Sequence, residues 1–174
     1  RLWSASYNAP GNGYDVANDA IIDSASNIYL CGYFSDTCDF DPNISIYNLY
    51  PQYGSAYILK LDSNGNFIWA KNYGTPLAGG QAYGRGIAID KNQNLYLSCY
   101  FQGTLDFNPG PGVDTIISNG QFDIFICKLD SVGNLKWVKS MGSKATKDAL
   151  RAPIAIGSVL APMALSPGIS SMSL

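Results

Sequence analysis

The chain has 174 residues, with 13 acidic and 11 basic side chains, a net charge of −2 and no histidine. An acidic balance with no run of Lys or Arg argues against nucleic acid or an anionic membrane surface as partner. The lack of histidine removes Ser-His and Cys-His nucleophilic pairs and histidine zinc sites. Twelve tyrosines among few charges suit a secreted β-rich protein, and the length allows one sizeable core.

The chain opens at Arg1 with neither Met nor signal peptide and reads as an excerpt of something longer. Trp3, Trp69 and Trp137 lie 66 and 68 residues apart and share one slot of an internal repeat, so residues 1–12 read as the end of a preceding unit. The first strand is predicted over 14–23 with Ile21 and Ile22 inside, then a turn at Asp23-Ser-Ala-Ser-Asn27 and a strand over 28–34. Asp23 to Pro42 aligns with Asp90 to Pro109 at an offset of 67, with ten of twenty residues identical.

A second block, Ser55 to Gly74, aligns with Asp123 to Gly142 at an offset of 68, again with ten identities. In it Phe125, Cys127 and Leu129 alternate with Ile124, Ile126 and Lys128, a period-two run apolar on both faces and therefore a buried strand. The turn that follows reads Ser63-Asn-Gly-Asn66 in one copy and Ser131-Val-Gly-Asn134 in the other. Val132 resists positive φ, so a type I turn with a left-handed glycine and a bulge fits both copies. Segments 43–54 and 110–122 share little and read as loops, with a short ribbon near 114–118.

Each unit thus gives four strands in sequence, in the second unit at 85–90, 95–101, 123–130 and 135–141. The predicted fold is all-β, with two four-stranded antiparallel meanders (residues 13–80 and 81–142) stacked face to face. Trp69 and Trp137 are expected to be buried in equivalent places. A meander repeated every 67 or 68 residues is one blade of a β-propeller, here incomplete, its other blades expected in the parent chain. Residues 143–174 lack aromatics and read as an aberrant or disordered tail, with a third unit starting at Ile154-Ala-Ile156. Pro153, Pro162 and Pro167 argue against a membrane span there.

Four stretches carry a family likeness: 87–90 (Ile-Ala-Ile-Asp), 94–101 (Asn-Leu-Tyr-Leu-Ser-Cys-Tyr-Phe), 103–110 (Gly-Thr-Leu-Asp-Phe-Asn-Pro-Gly) and 128–137 (Lys-Leu-Asp-Ser-Val-Gly-Asn-Leu-Lys-Trp). Over residues 1–142 the chain resembles the bacterial seven-bladed β-propeller (SBBP) repeats. The resemblance implies a propeller in a secreted or cell-surface bacterial protein and offers no catalytic motif to transfer. Gly32 matches the family's glycine after the second-strand core, whereas Cys99 departs from it. Leu61 to Trp69 is also similar to the tryptophan-docking motif of quinoprotein propellers, but with a shorter Asp-to-Gly spacing. That likeness reflects shared packing and does not imply a quinone.

The four cysteines (Cys31, Cys38, Cys99, Cys127) lack zinc spacing; Cys31 and Cys38 could bridge, but packed thiols are the simpler reading. Asp39 and Asp41, like Asp106 and Asn108, put two oxygens on one side of an extended segment and could join a calcium site, the one cofactor suggested; Asx-Pro turns are the alternative. The pairs Tyr33-Phe34 and Tyr100-Phe101 could stack sugars, although at least one ring of each should pack inside. Tyr47, Tyr50 and Tyr53 are the candidate ligand-stacking residues. The functional expectation is a non-enzymatic extracellular scaffold binding glycan or protein. The alternatives are a propeller enzyme, polysaccharide-active or quinoprotein-like, whose active site lies in missing blades, and a structural spacer in an adhesin.

Overall fold

The computed structural model describes residues 13–51, 53–108 and 111–142; the expected preceding unit (1–12) and tail (143–174) lie outside them. The described residues are all-β, pairing antiparallel throughout, with no helix among them. β1 (Val16–Ile22), β2 (Ile28–Phe34), β5 (Ser55–Leu61) and β6 (Phe67–Tyr73) form the first sheet in that spatial order, and a two-stranded ribbon of β3 (Cys38–Asp39) and β4 (Asn48–Leu49) lies between β2 and β5 along the chain. The second sheet orders β7 (Thr75–Ile89), β8 (Leu95–Asp106), β10 (Asp123–Leu129) and β11 (Leu135–Met141), with β9 (Thr115–Ile117) paired to the far end of β8.

The ribbon expected near 114–118 is thus present as β9, and β3–β4 is its counterpart in the first unit. β7 and β8 run longer than the pattern 85–90 and 95–101 indicates, because the second unit continues its pairing from Tyr100 out to Asp106, opposite Thr75. Between the sheets the chain turns on Gly74, whose φ of 68° suits glycine; a Cβ there would fall 2.8 Å from that of Ala82.

One turn recurs four times, spelled Asp-x-x-x-Asn at 23–27, 62–66, 90–94 and 130–134. In each, the aspartate Oδ1 accepts the N–H groups two and four residues on, and the closing asparagine's side-chain amide donates back to the same carboxylate, all at 2.8–3.2 Å. The residue before that asparagine is left-handed: Ser26 (65°), Gly65 (83°), Gln93 (63°) and Gly133 (78°). Pairing shifts between Lys60 and Leu61 and between Lys128 and Leu129, so both glycine turns carry the bulge their sequence calls for.

Alternation along the strands decides which side chains meet. From the first sheet Tyr29, Cys31, Ile58 and Tyr73 pack with Ile87, Leu97, Cys99, Phe101, Phe125 and Cys127 of the second in one buried core. On its opposite face Phe34, Phe40, Tyr57, Leu59 and Leu61 form another buried cluster. Ile21 packs against the first core, but Ile22 is 66% exposed, since neighbours in a strand point to opposite faces.

Polar ties join the sheets as well. Tyr73 Oη donates to the Gly133 carbonyl (2.9 Å), Lys71 Nζ to the Val132 carbonyl (2.8 Å) and Asn134 Oδ1 (3.0 Å), and Asn18 Nδ2 to the Gly84 carbonyl (2.6 Å). Ile87 N–H donates in turn to Asp19 Oδ2 (3.0 Å). The two tryptophans occupy matching positions, each 6.2 Å edge-to-face from a tyrosine, Tyr29 or Tyr96. Their burial differs from expectation: Trp69 lies against Gly133 of the next sheet, whereas Trp137 is 40% exposed because no comparable turn covers it among the described residues.

Candidate binding face

Both ribbons are closed by an aspartate that serves as a turn former. Asp39 Oδ1 accepts the N–H groups of Asp41 (3.0 Å) and Tyr47 (2.9 Å), and Asp106 Oδ1 those of Asn108 and Asp114 (both 2.9 Å). The backbone repeats the match, with Phe40 N–H on the Tyr47 carbonyl and Phe107 N–H on that of Asp114, both at 2.9 Å. Loops that share little sequence therefore hang from the same frame.

That geometry bears on the calcium reading of Asp39, Asp41, Asp106 and Asn108. Asp41 Oδ1 accepts both the N–H and the side-chain amide of Asn43, and Asn108 Nδ2 faces Asp114 Oδ2 at 3.4 Å. The two pairs sit in different ribbons, and the Oδ1 atoms of Asp39, Asp41 and Asp106 face N–H donors, the pattern of an Asx turn. Calcium wants six to eight oxygens; among the described residues no group of three or more acidic, His or Cys side chains is positioned to hold a metal ion.

The first ribbon presents its candidate tyrosines unequally. Tyr47, 41% exposed, leans on Phe67 with ring centres 4.7 Å apart, while Tyr50 (66%) and Tyr53 (57%) stand in solvent. Ile44 and Ile46 are exposed beside them, making an apolar patch on one loop. The second ribbon carries exposed Val113 and Ile117.

Phe34 and Phe101 are buried as the alternation requires, and their neighbours Tyr33 and Tyr100 join a ladder of rings. Tyr83 stacks on Tyr33 at 4.3 Å and on Tyr100 at 4.8 Å, and Phe122 meets Tyr100 edge-on at 5.7 Å. Both faces of Tyr83 are occupied, and Arg85 covers Tyr100 with its guanidinium carbon 4.6 Å from the ring centre. Tyr83 and Tyr100 therefore offer no open stacking platform. Burial and the neighbouring Tyr33 and Tyr100 push the Tyr83 hydroxyl up to about 12, so it acts as a hydrogen-bond donor at ordinary pH.

Tyr83, Arg85 and Phe122 are absent from the candidates that motifs alone provide. The repeat holds their signal: at an offset of 67, Val16 and Asn18 stand where Tyr83 and Arg85 do, so both break the pattern. Cys31 and Cys38 belong to clusters on opposite faces of the first sheet, which precludes a bridge between them, and all four thiols are free and buried. Burial, with Asp19 nearby, pushes the Cys31 thiol up to about 12, so it packs as a small apolar group.

No protein-family model matches the chain, and no curated protein matches it either.

Proposed function

We propose that this chain is a stretch of a secreted or cell-surface β-propeller built from SBBP-like repeats, and that it works as a non-enzymatic scaffold whose first ribbon binds glycan or protein. The observation that carries the reading is the contrast between frame and decoration. Two ribbons closed by the same aspartate hydrogen bonds differ in what they expose: Tyr50, Tyr53, Ile44 and Ile46 on one, Val113 and Ile117 on the other. Loops on a repeated frame can vary in recognition at little cost to the fold. Exposed tyrosines supply large contact area with few rotatable bonds, which suits them to sugar rings and protein surfaces alike.

The test is a double substitution, Tyr50→Ala with Tyr53→Ala, in the full-length protein against a glycan array and candidate surface proteins. Tyrosines that serve as the central contacts of an interface cost ~2 kcal/mol or more when truncated, so binding should weaken at least ~10-fold. Stability should move by no more than ~0.5 kcal/mol per exposed site. Exchanging segment 43–54 for 110–122 should change ligand preference in the same way. Unaltered binding in both variants would remove the ribbon from the binding surface.

A further inference from the structure

We propose that Arg85, with the glutamine and tyrosine face beside it, binds the carboxylate of an acidic sugar, a uronate residue of a polysaccharide chain. The site lies in the second sheet, apart from the first ribbon, and does not depend on the ribbon's role. Pairing between β7 and β8 shifts between Gly84 and Gly86, so Arg85 is the extra residue of a β-bulge, a feature that re-aims a side chain. The backbone on either side is held: the Gly84 carbonyl accepts from Asn18 Nδ2 at 2.6 Å and the Gly86 carbonyl from Ser98 Oγ at 3.3 Å.

The arginine head is held too. It lies over Tyr100 and donates from Nη2 to the Tyr100 hydroxyl at 2.6 Å, while Tyr83 and Phe122 fix Tyr100 in turn. Ordering a long side chain normally opposes binding; here it is ordered in advance. A guanidinium has five N–H donors in a planar fork; Arg85 is exposed, and no acidic side chain pairs with it among the described residues. A planar carboxylate is the group that fork engages in two parallel hydrogen bonds.

The neighbours favour a sugar over an acidic peptide. Gln81 is register partner to Gln102 and Tyr83 to Tyr100, so all four share one face of the sheet. Gln81 Oε1 accepts from the Tyr83 hydroxyl, which leaves its NH2 for a ligand hydroxyl. Amide donors two residues along the strands from the Tyr83–Tyr100 pair, where the guanidinium lies, suit a ring bearing hydroxyls and one carboxylate. The matching bulge of the first sheet carries Asn18, whose amide already holds the Gly84 carbonyl, so the arginine is what distinguishes the second sheet.

Isothermal titration of the full chain with a galacturonic acid trimer tests this, beside its methyl ester and a glutamate tripeptide. The free acid should bind, and the ester should bind at least ~10-fold more weakly because the charge-assisted bonds are lost. Arg85→Gln should abolish binding, and Arg85→Lys should weaken it several-fold, since an ammonium cannot form the fork. The Tyr50→Ala, Tyr53→Ala variant should bind the trimer as the parent does. Three results would overturn the proposal: no binding at millimolar trimer, as expected if Arg85 only ties the sheet to a neighbour in the way Asn18 does; equal binding of the glutamate tripeptide; or unchanged trimer affinity in Arg85→Gln. An unshifted thermal unfolding curve for Arg85→Gln keeps the comparison free of folding effects.

Discussion

Alanine in place of Gly32 is expected to cost ~3 kcal/mol or more and to leave the chain largely unfolded in urea concentrations that the parent withstands. A Cβ on Gly32 would lie 1.8 Å from the carbonyl oxygen of Val16 and 3.0 Å from the Tyr57 ring. The first of these atoms is backbone in a paired strand, next to the bulge that frees Asn18, and it cannot swing aside as a side chain would. To admit the methyl, β1 would have to leave β2, and Asn18 and Asp19 would lose their bonds to Gly84 and Ile87. Urea unfolding followed by tryptophan fluorescence reads the effect. A midpoint within error of the parent would mean that β1 is not docked in this register.

In the second sheet the glycine stands on the other strand of the pair. There Gly84 lies opposite Cys99, where the first sheet has Ala17 opposite Gly32. Gly84 also brings the two sheets together, since a Cβ on it would fall 2.5 Å from the Gly32 carbonyl. Cys99, in the slot that Gly32 fills in the first sheet, is itself fully buried.

How far the sequence reveals this molecule follows from what kind of information it repeats. Hairpins such as Asp123 to Met141 are legible because their turn chemistry and period-two alternation are local, and β2 and β11 begin and end where the pattern puts them. The exposure of Trp137 is not legible, because burial depends on what lies beyond the strand and the same residue type fills the slot in both copies. The lengthening of β7 is hidden for a similar reason: it pairs with the far end of β8, whose residues 104–106 are flanked on the other side by β9, a strand from a loop that shares little between the copies. In the candidate site the exposed ribbon tyrosines are readable as loop residues. The arginine on its bulge becomes readable only when two copies are compared for what differs between them.

Acid should weaken the fold over a narrow window, and the four Asp-Asn turns explain why. Burial alone would raise the Asp90 carboxyl, but bonds from the Asn94 amide, the Asn94 and Asn92 N–H groups and the Tyr96 hydroxyl outweigh it and hold the group at about 2, below its ordinary 3.8. Asp23 and Asp130 follow the same logic, burial being overcome by Asn27 and Lys60 in one and by Asn134 and Lys136 in the other; Asp62 is lowered first by the Asn66 amide. A carboxyl held lower in the folded state stabilises it above the unfolded value, and that contribution is lost as pH falls through the folded one. Asp15 opposes the trend, raised by burial and by Asp36. Urea midpoints should thus stay flat from about pH 7 to about pH 5 and fall steeply between about 4 and about 2. Asp90→Asn removes one titrating clip: it should be less stable than the parent at neutral pH, and the two curves should approach each other as pH falls through about 2, converging only below it, where the parent's carboxyl is also uncharged. Parallel curves across the whole range would show that the Asp90 charge contributes nothing to the turn.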